Sequence, residues 1–162
     1  MKFVSQANES TQALGAALAS LLRNGQVVAL HGDLGAGKTV LSRGVARGLG
    51  ITEAVTSPTF TVAQEYQASD GRRFNHLDMY RIDDERSALA FGIEEYLFDP
   101  DAITLVEWPE RIAGLLRGGD CIALTLAYGD GQDETRVIDL PDDLGRQLLA
   151  HGLPQGVTPL GD

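Results

Sequence analysis

The chain has 162 residues, 43% hydrophobic and 22% charged, with 23 acidic residues against 13 Lys and Arg and a formal net charge of −10. That length builds one domain with a substantial core and is too short for two ordinary ones. The acidic balance argues against autonomous DNA or RNA binding, which draws its phosphate contacts from a basic surface.

The first residues, Met1 to Gln6, lead into polar sequence and lack the apolar core of a signal peptide. No apolar run approaches the ~20 residues needed to cross a bilayer, so a cytoplasmic location without membrane contact is expected. Ala13, Leu14, Ala17, Leu18, Leu21 and Leu22 recur at helical spacing, with Ser10 as N-cap and Asn24-Gly25 as stop. Val27 to His31 is too compact for a helix and reads as a buried central strand. A glycine loop follows, then helical sequence from Lys38 to Leu49.

Phe60 to Tyr66 and Phe74 to Met79 carry strand signals around the turn cluster Ser69-Asp70-Gly71, which predicts an antiparallel hairpin. Asp83 to Ala90 reads as helix, with Gly92 to Phe98 as a second short helical piece. Ala102 to Val106 is another buried strand. Asp120 to Tyr128 and Thr135 to Leu140 form a later strand pair around Gly129-Asp130-Gly131. It contains the single cysteine, Cys121, read as a small buried residue; one cysteine excludes an internal disulfide. Asp142 or Asp143 caps a last helix running to about Ala150, and the Gly- and Pro-rich residues 151–162 read as a flexible C-terminal tail. Strands that first alternate with helices and then come in pairs predict an α/β fold. Residues 1–150 form a single domain, a three-layer sandwich whose mixed sheet is parallel at its centre and covered by helices on both faces.

Gly32-Asp33-Leu34-Gly35-Ala36-Gly37-Lys38-Thr39 matches the phosphate-binding pattern G-x-x-x-x-G-K-[ST], with a hydrophobic strand entering and a helix leaving. Glycines let successive backbone N–H groups turn onto an anion, and the following helix adds the positive end of its dipole. Lys38 can reach β- and γ-phosphate oxygens, and the Thr39 hydroxyl can ligate Mg²⁺. The expected ligands are therefore ATP, or a close nucleotide relative, and Mg²⁺, held by Asp33, Leu34, Gly35, Ala36, Gly37, Lys38, Thr39 and Val40.

Nucleotide sites of this type place an acidic residue at the end of a neighbouring hydrophobic strand. Ile103-Thr104-Leu105-Val106-Glu107 supplies Glu107 for the metal, directly or through water. Asp78, in His76-Leu77-Asp78-Met79-Tyr80-Arg81, is a second carboxylate leaving a strand: it orders water, sits in the outer metal shell, or is a surface or capping aspartate. His76 reads as a histidine satisfied within the sheet, and Arg81 as a partner for phosphate or for Asp83 or Asp84. Thr56-Ser57-Pro58-Thr59-Phe60 carries hydroxyls where such proteins sense the γ-phosphate, making Ser57 and Thr59 candidates for a switch, with a polar turn as the plain alternative. Trp108 is a packing residue or an exposed contact beside the metal.

Together these blocks resemble the bacterial TsaE (YjeE) family, the ATPase of tRNA threonylcarbamoyladenosine synthesis. The resemblance rests on Gly32 to Thr39, Ser57-Pro58-Thr59-Phe60-Thr61, Leu77-Asp78-Met79-Tyr80-Arg81, Gly92-Ile93-Glu94-Glu95-Tyr96 and Leu105-Val106-Glu107-Trp108-Pro109-Glu110-Arg111. It implies that Lys38 contacts phosphate, that Thr39 and Glu107 bind Mg²⁺, that Asp78 is a required carboxylate, and that Thr59 belongs to a mobile switch. It also implies that Thr11 lies near the base and Arg136 near the nucleotide. The implied partners are TsaD-like and TsaB-like proteins, with tRNA met only indirectly through the complex. A small-molecule or nucleotide kinase is the alternative, but no arginine-rich lid segment is evident. A GTPase switch lacks its Asn-Lys-x-Asp segment.

Overall fold

The computed structural model describes residues 1–56, 62–117, 121–131 and 133–161. Val27–His31 (β2) carries no polar side chain before His31, so it is stable only with partners on both edges and cover on both faces. It pairs in parallel with Ala102–Glu107 (β5) on one side and Cys121–Tyr128 (β6) on the other. Arg73–Asp78 (β4) adds in parallel to β5, and Ala63–Gln67 (β3) pairs antiparallel with β4 as the expected hairpin. Beyond β6 come Arg136–Asp139 (β7), Lys2–Ser5 (β1) and Val157–Pro159 (β8), each antiparallel to its neighbour. The eight-stranded order is β3-β4-β5-β2-β6-β7-β1-β8, a mixed sheet with a parallel centre.

Successive strand side chains point to opposite faces, and this alternation builds two cores. Val28, Leu30, Ile103 and Leu105 pack with Leu14 and Leu18 of Asn8–Ala19 (α1), Leu41 and Val45 of Lys38–Gly48 (α2), and Leu148 of Asp142–His151 (α5). Val27, Leu77 and Val106 face the other way, onto Ala88 of Glu85–Ala90 (α3), Leu97 of Glu94–Leu97 (α4) and Ile112 of a 3₁₀ segment, Pro109–Leu116. The three-layer α/β sandwich expected from the sequence is the fold.

The helix that follows the glycine loop is braced from behind. Gly15 of α1 and Gly44 and Gly48 of α2 bring the two helix backbones into contact. A Cβ on Gly48 would lie 2.6 Å from the Ala16 carbonyl oxygen, and one on Gly44 would run into that of Gln12.

Several local expectations are corrected. Helix α1 starts at Asn8 with Ala7 at its cap, so Ser10 is a buried residue of the first turn and not the N-cap. Pro141, not an aspartate, precedes α5; Asp142 and Asp143 lie in its first turn, near the positive end of its dipole. Residues 151–162 are not simply a flexible tail: Val157 is 4% exposed, and β8 completes the sheet against β1. Gln6 donates to the Gly156 carbonyl at 3.0 Å and Leu160 to that of Lys2 at 2.8 Å. Those backbone groups would otherwise form an open sheet edge. Among the described residues, no helix is long and apolar enough to cross a membrane.

Candidate functional site

The turn from β2 into α2 needs glycine for two separate reasons. Gly35 and Gly37 have φ of 80° and 101°, the left-handed region that disfavours other residues. The loop also presses on β6: a Cβ on Gly32 would sit 2.6 Å from the Leu126 carbonyl oxygen, and one on Gly35 would sit 2.6 Å from the Tyr128 hydroxyl. Gly37 occupies the N-cap of α2, and among the described residues no side chain caps that end. The first turn therefore offers backbone donors to an anion. Asp33, Leu34 and Gly35 are exposed, Leu34 at 70%, whereas Ala36 is buried and Gly37, Thr39 and Val40 are half-buried.

Lys38 points inward and is 5% exposed. Its Nζ donates to the Gly32 carbonyl and lies 3.8 Å from the centre of the Trp108 ring. Burial pushes the Lys38 pKa down from its ordinary value; the charges of Glu107, Glu110, Asp78 and Asp33 oppose that shift. A desolvated cation facing carboxylates is suited to receiving phosphate oxygens.

The carboxylates arrive by strand register. Parallel β4, β5 and β2 end together, with Glu107 opposite both Asp78 and Leu30. This is the carboxyl edge of the sheet, where open α/β folds bind ligands. Glu107 is 3% exposed, and its Oε2 accepts a hydrogen bond from His76 Nε2 at 2.6 Å. Half-buried Asp78 accepts from the Tyr80 N–H at 3.0 Å, and Arg81 is exposed. Directly after Glu107 the backbone turns left-handed at Trp108, φ 56° and ψ 49°, bringing its ring within 5.0 Å of Tyr80 and over Lys38.

Arg136 meets the loop from β7. Its Nη2 donates to the Gly35 carbonyl at 3.3 Å, and its guanidinium lies 4.7 Å from the Tyr128 ring centre. Tyr128, which the sequence reading did not single out, donates to the Leu34 carbonyl at 2.8 Å. An aromatic residue closing a strand just before Gly129 was its one signal. Thr11 is fully buried; its hydroxyl bonds with Ser5 Oγ at 2.8 Å and donates to the Ala7 carbonyl at 3.3 Å. It secures the start of α1. Ser57 and Thr59 lie outside the described residues.

Thr39 and Glu107 are hard oxygen donors, the class that suits Mg²⁺. Among the described residues, no three His, Cys, Asp or Glu side chains gather as a metal cage. Two protein oxygens fit an ion that completes its shell with phosphate and water.

The family described as threonylcarbamoyl adenosine biosynthesis protein TsaE matches residues 5–138. The chain belongs to the TsaE family. The tRNA threonylcarbamoyladenosine biosynthesis protein TsaE of Haemophilus influenzae is 39% identical over 126 residues, 76% of each chain. That of Treponema pallidum is 38% identical over 138 residues, 85% of this chain and 99% of its own. The crystal structure of Bacillus subtilis YdiB superposes with a TM-score of 0.67 at 30% identity, covering 93% of this chain and 95% of its own. The TsaE family works in tRNA threonylcarbamoyladenosine biosynthesis, and the fold is that of a P-loop NTPase.

Proposed function

We propose that this chain is a Mg²⁺-dependent ATPase that supports threonylcarbamoyl modification of tRNA adenosine, working with TsaB-like and TsaD-like proteins. One observation carries the reading. Lys38 is buried at the start of α2 with its ammonium 3.8 Å from the centre of the Trp108 ring, and Trp108 directly follows Glu107, which is buried at the carboxyl end of β5.

Backbone N–H groups from Gly35 to Thr39 would bind the phosphates, and Lys38 would exchange the Gly32 carbonyl for a phosphate oxygen. Thr39 and Glu107 would hold Mg²⁺, which when bound supplies positive charge to the β- and γ-phosphate oxygens. Asp78, level with Glu107, is suited to orienting the water that attacks the γ-phosphate. Arg136 would hold the loop's outer turn from behind. The net charge of −10 supports a division of labour in which partner proteins handle the tRNA. A cytoplasmic location follows from that role.

The test is steady-state phosphate release by the chain alone and with TsaB and TsaD, together with multiple-turnover tRNA modification. Phosphate release should be slow alone and faster in the assembly, and Lys38→Ala should abolish it. If the Lys38→Ala assembly modifies tRNA through repeated cycles as well as wild type, the reading fails.

A further inference from the structure

We infer that His76 is a positioning residue for Glu107, fixing one carboxylate oxygen so that the other is presented to the metal. This rests on the proposed reading of Glu107 as a Mg²⁺ ligand. Phe74, His76 and Asp78 alternate along one face of β4, the face shared with Leu105 and Glu107 of β5. His76 stands opposite Leu105, two residues before Glu107, and its ring reaches diagonally to Oε2 at 2.6 Å. Both side chains are shut off from solvent, at 0% and 4% exposure, so the imidazole does for Oε2 what water cannot. With Oε2 held, Oε1 is the oxygen left for an ion.

Two further observations separate this role from packing. Among the described residues, His76 Nδ1 is buried with no hydrogen-bond partner, on a face where its neighbour is the Phe74 ring, stacked at 6.3 Å and 25°. A half-satisfied buried polar group is a poor way to fill an apolar space. The register that aims the ring is itself locked from the opposite face: Asn75 Nδ2 and Thr104 Oγ1, neighbours on β4 and β5, both donate to the Tyr96 carbonyl, at 3.3 and 3.0 Å. Outer partners of this kind orient a ligand and raise its affinity for metal roughly 10- to 100-fold.

The test compares His76→Gln, whose amide can occupy the Nε2 position, with His76→Asn, whose amide sits near Nδ1 and falls short of Glu107. Mn²⁺ binding to the ADP-loaded protein is read by electron paramagnetic resonance, and ADP affinity without metal by calorimetry in EDTA. His76→Asn should weaken Mn²⁺ about 10-fold or more, keep metal-free ADP binding within about twofold, and be largely rescued in His76→Gln. Unchanged Mn²⁺ affinity in His76→Asn, equal weakening in both variants, or a parallel loss of metal-free ADP binding would overturn the role. Wild type that binds ADP but no Mn²⁺ removes Glu107 as a ligand and this role with it, whereas wild type that binds no ADP removes the nucleotide site itself. A readout needing no variant is the ¹⁵N resonance of His76 Nε2 in wild type: it should shift when Mg²⁺ joins bound ADP, and a static resonance overturns the inference.

Discussion

The Lys38 ammonium rests between two partners, the Gly32 carbonyl and the face of Trp108 at 3.8 Å from the ring centre. A cation on an indole is worth about 0.5–2 kcal/mol, less than a charge-assisted bond to phosphate in a desolvated site. Nucleotide should therefore draw Lys38 off the ring. Trp108 is the single tryptophan of the chain, so its emission should change on adding ATP or ADP. Lys38→Met should alter the emission of the ligand-free protein and remove the nucleotide response. Unaltered emission in that variant would contradict the stacked arrangement.

The loop's outer carbonyls are tied to the late hairpin by Tyr128 and Arg136. Tyr128→Phe deletes one neutral bond at an exposed turn, a loss of about 0.5–1.5 kcal/mol. Nucleotide affinity should fall by roughly 2- to 10-fold on the usual conversion. Arg136→Ala removes several bonds and the ring contact, and should cost more. Calorimetric titration of both variants checks the ranking.

Gly44→Ala sets two effects against each other. Alanine gains about 1 kcal/mol of helix propensity over glycine, but its Cβ collides with the Gln12 backbone. Overpacking against backbone costs about 1–3 kcal/mol or more, so the variant should be less stable. Each kcal/mol lowers Tm by about 2–4 °C at this size. A higher Tm would mean that α1 yields easily.

Arg73 holds the start of β4 to the loop before β5 through two bonds to Asp99, at 2.9 and 2.7 Å. The side-chain bonds from Arg73 hold the Asp99 carboxyl below the usual carboxylate range. In the unfolded chain it titrates near its ordinary value, about 4. The folded value is the lower one, so the contribution is complete above about pH 4 and is lost as pH falls through the folded value. Melting curves below about pH 4 should fall less steeply with acid in Asp99→Asn than in wild type.

The glycine turn between β2 and α2 was legible because its signal is local: eight consecutive residues between a strand and a helix. Glu107 and Asp78 were legible as the last residues of strands, and parallel pairing then set them side by side. His76 was expected to be satisfied within the sheet, and its buried bond to Glu107 agrees; the partner itself was not legible, because it lies 31 positions away and shares its face only after β4 and β5 align. Strands β1 and β8 escaped notice for a related reason. Four and three residues hold too little pattern, and their stability comes from partners at the other end of the chain. The contact between α1 and α2 was hidden because it is made where side chains are missing, at Gly15, Gly44 and Gly48.

Trp108 holds its ring over Lys38 only because its backbone adopts a left-handed conformation, at about 1–2 kcal/mol for a residue with a Cβ. Glycine or asparagine would sit there at ease. A laboratory library of this chain selected for heat resistance alone should drift toward those two residues at position 108. One selected for holding nucleotide should keep the indole, so the two selections would part company at this single codon.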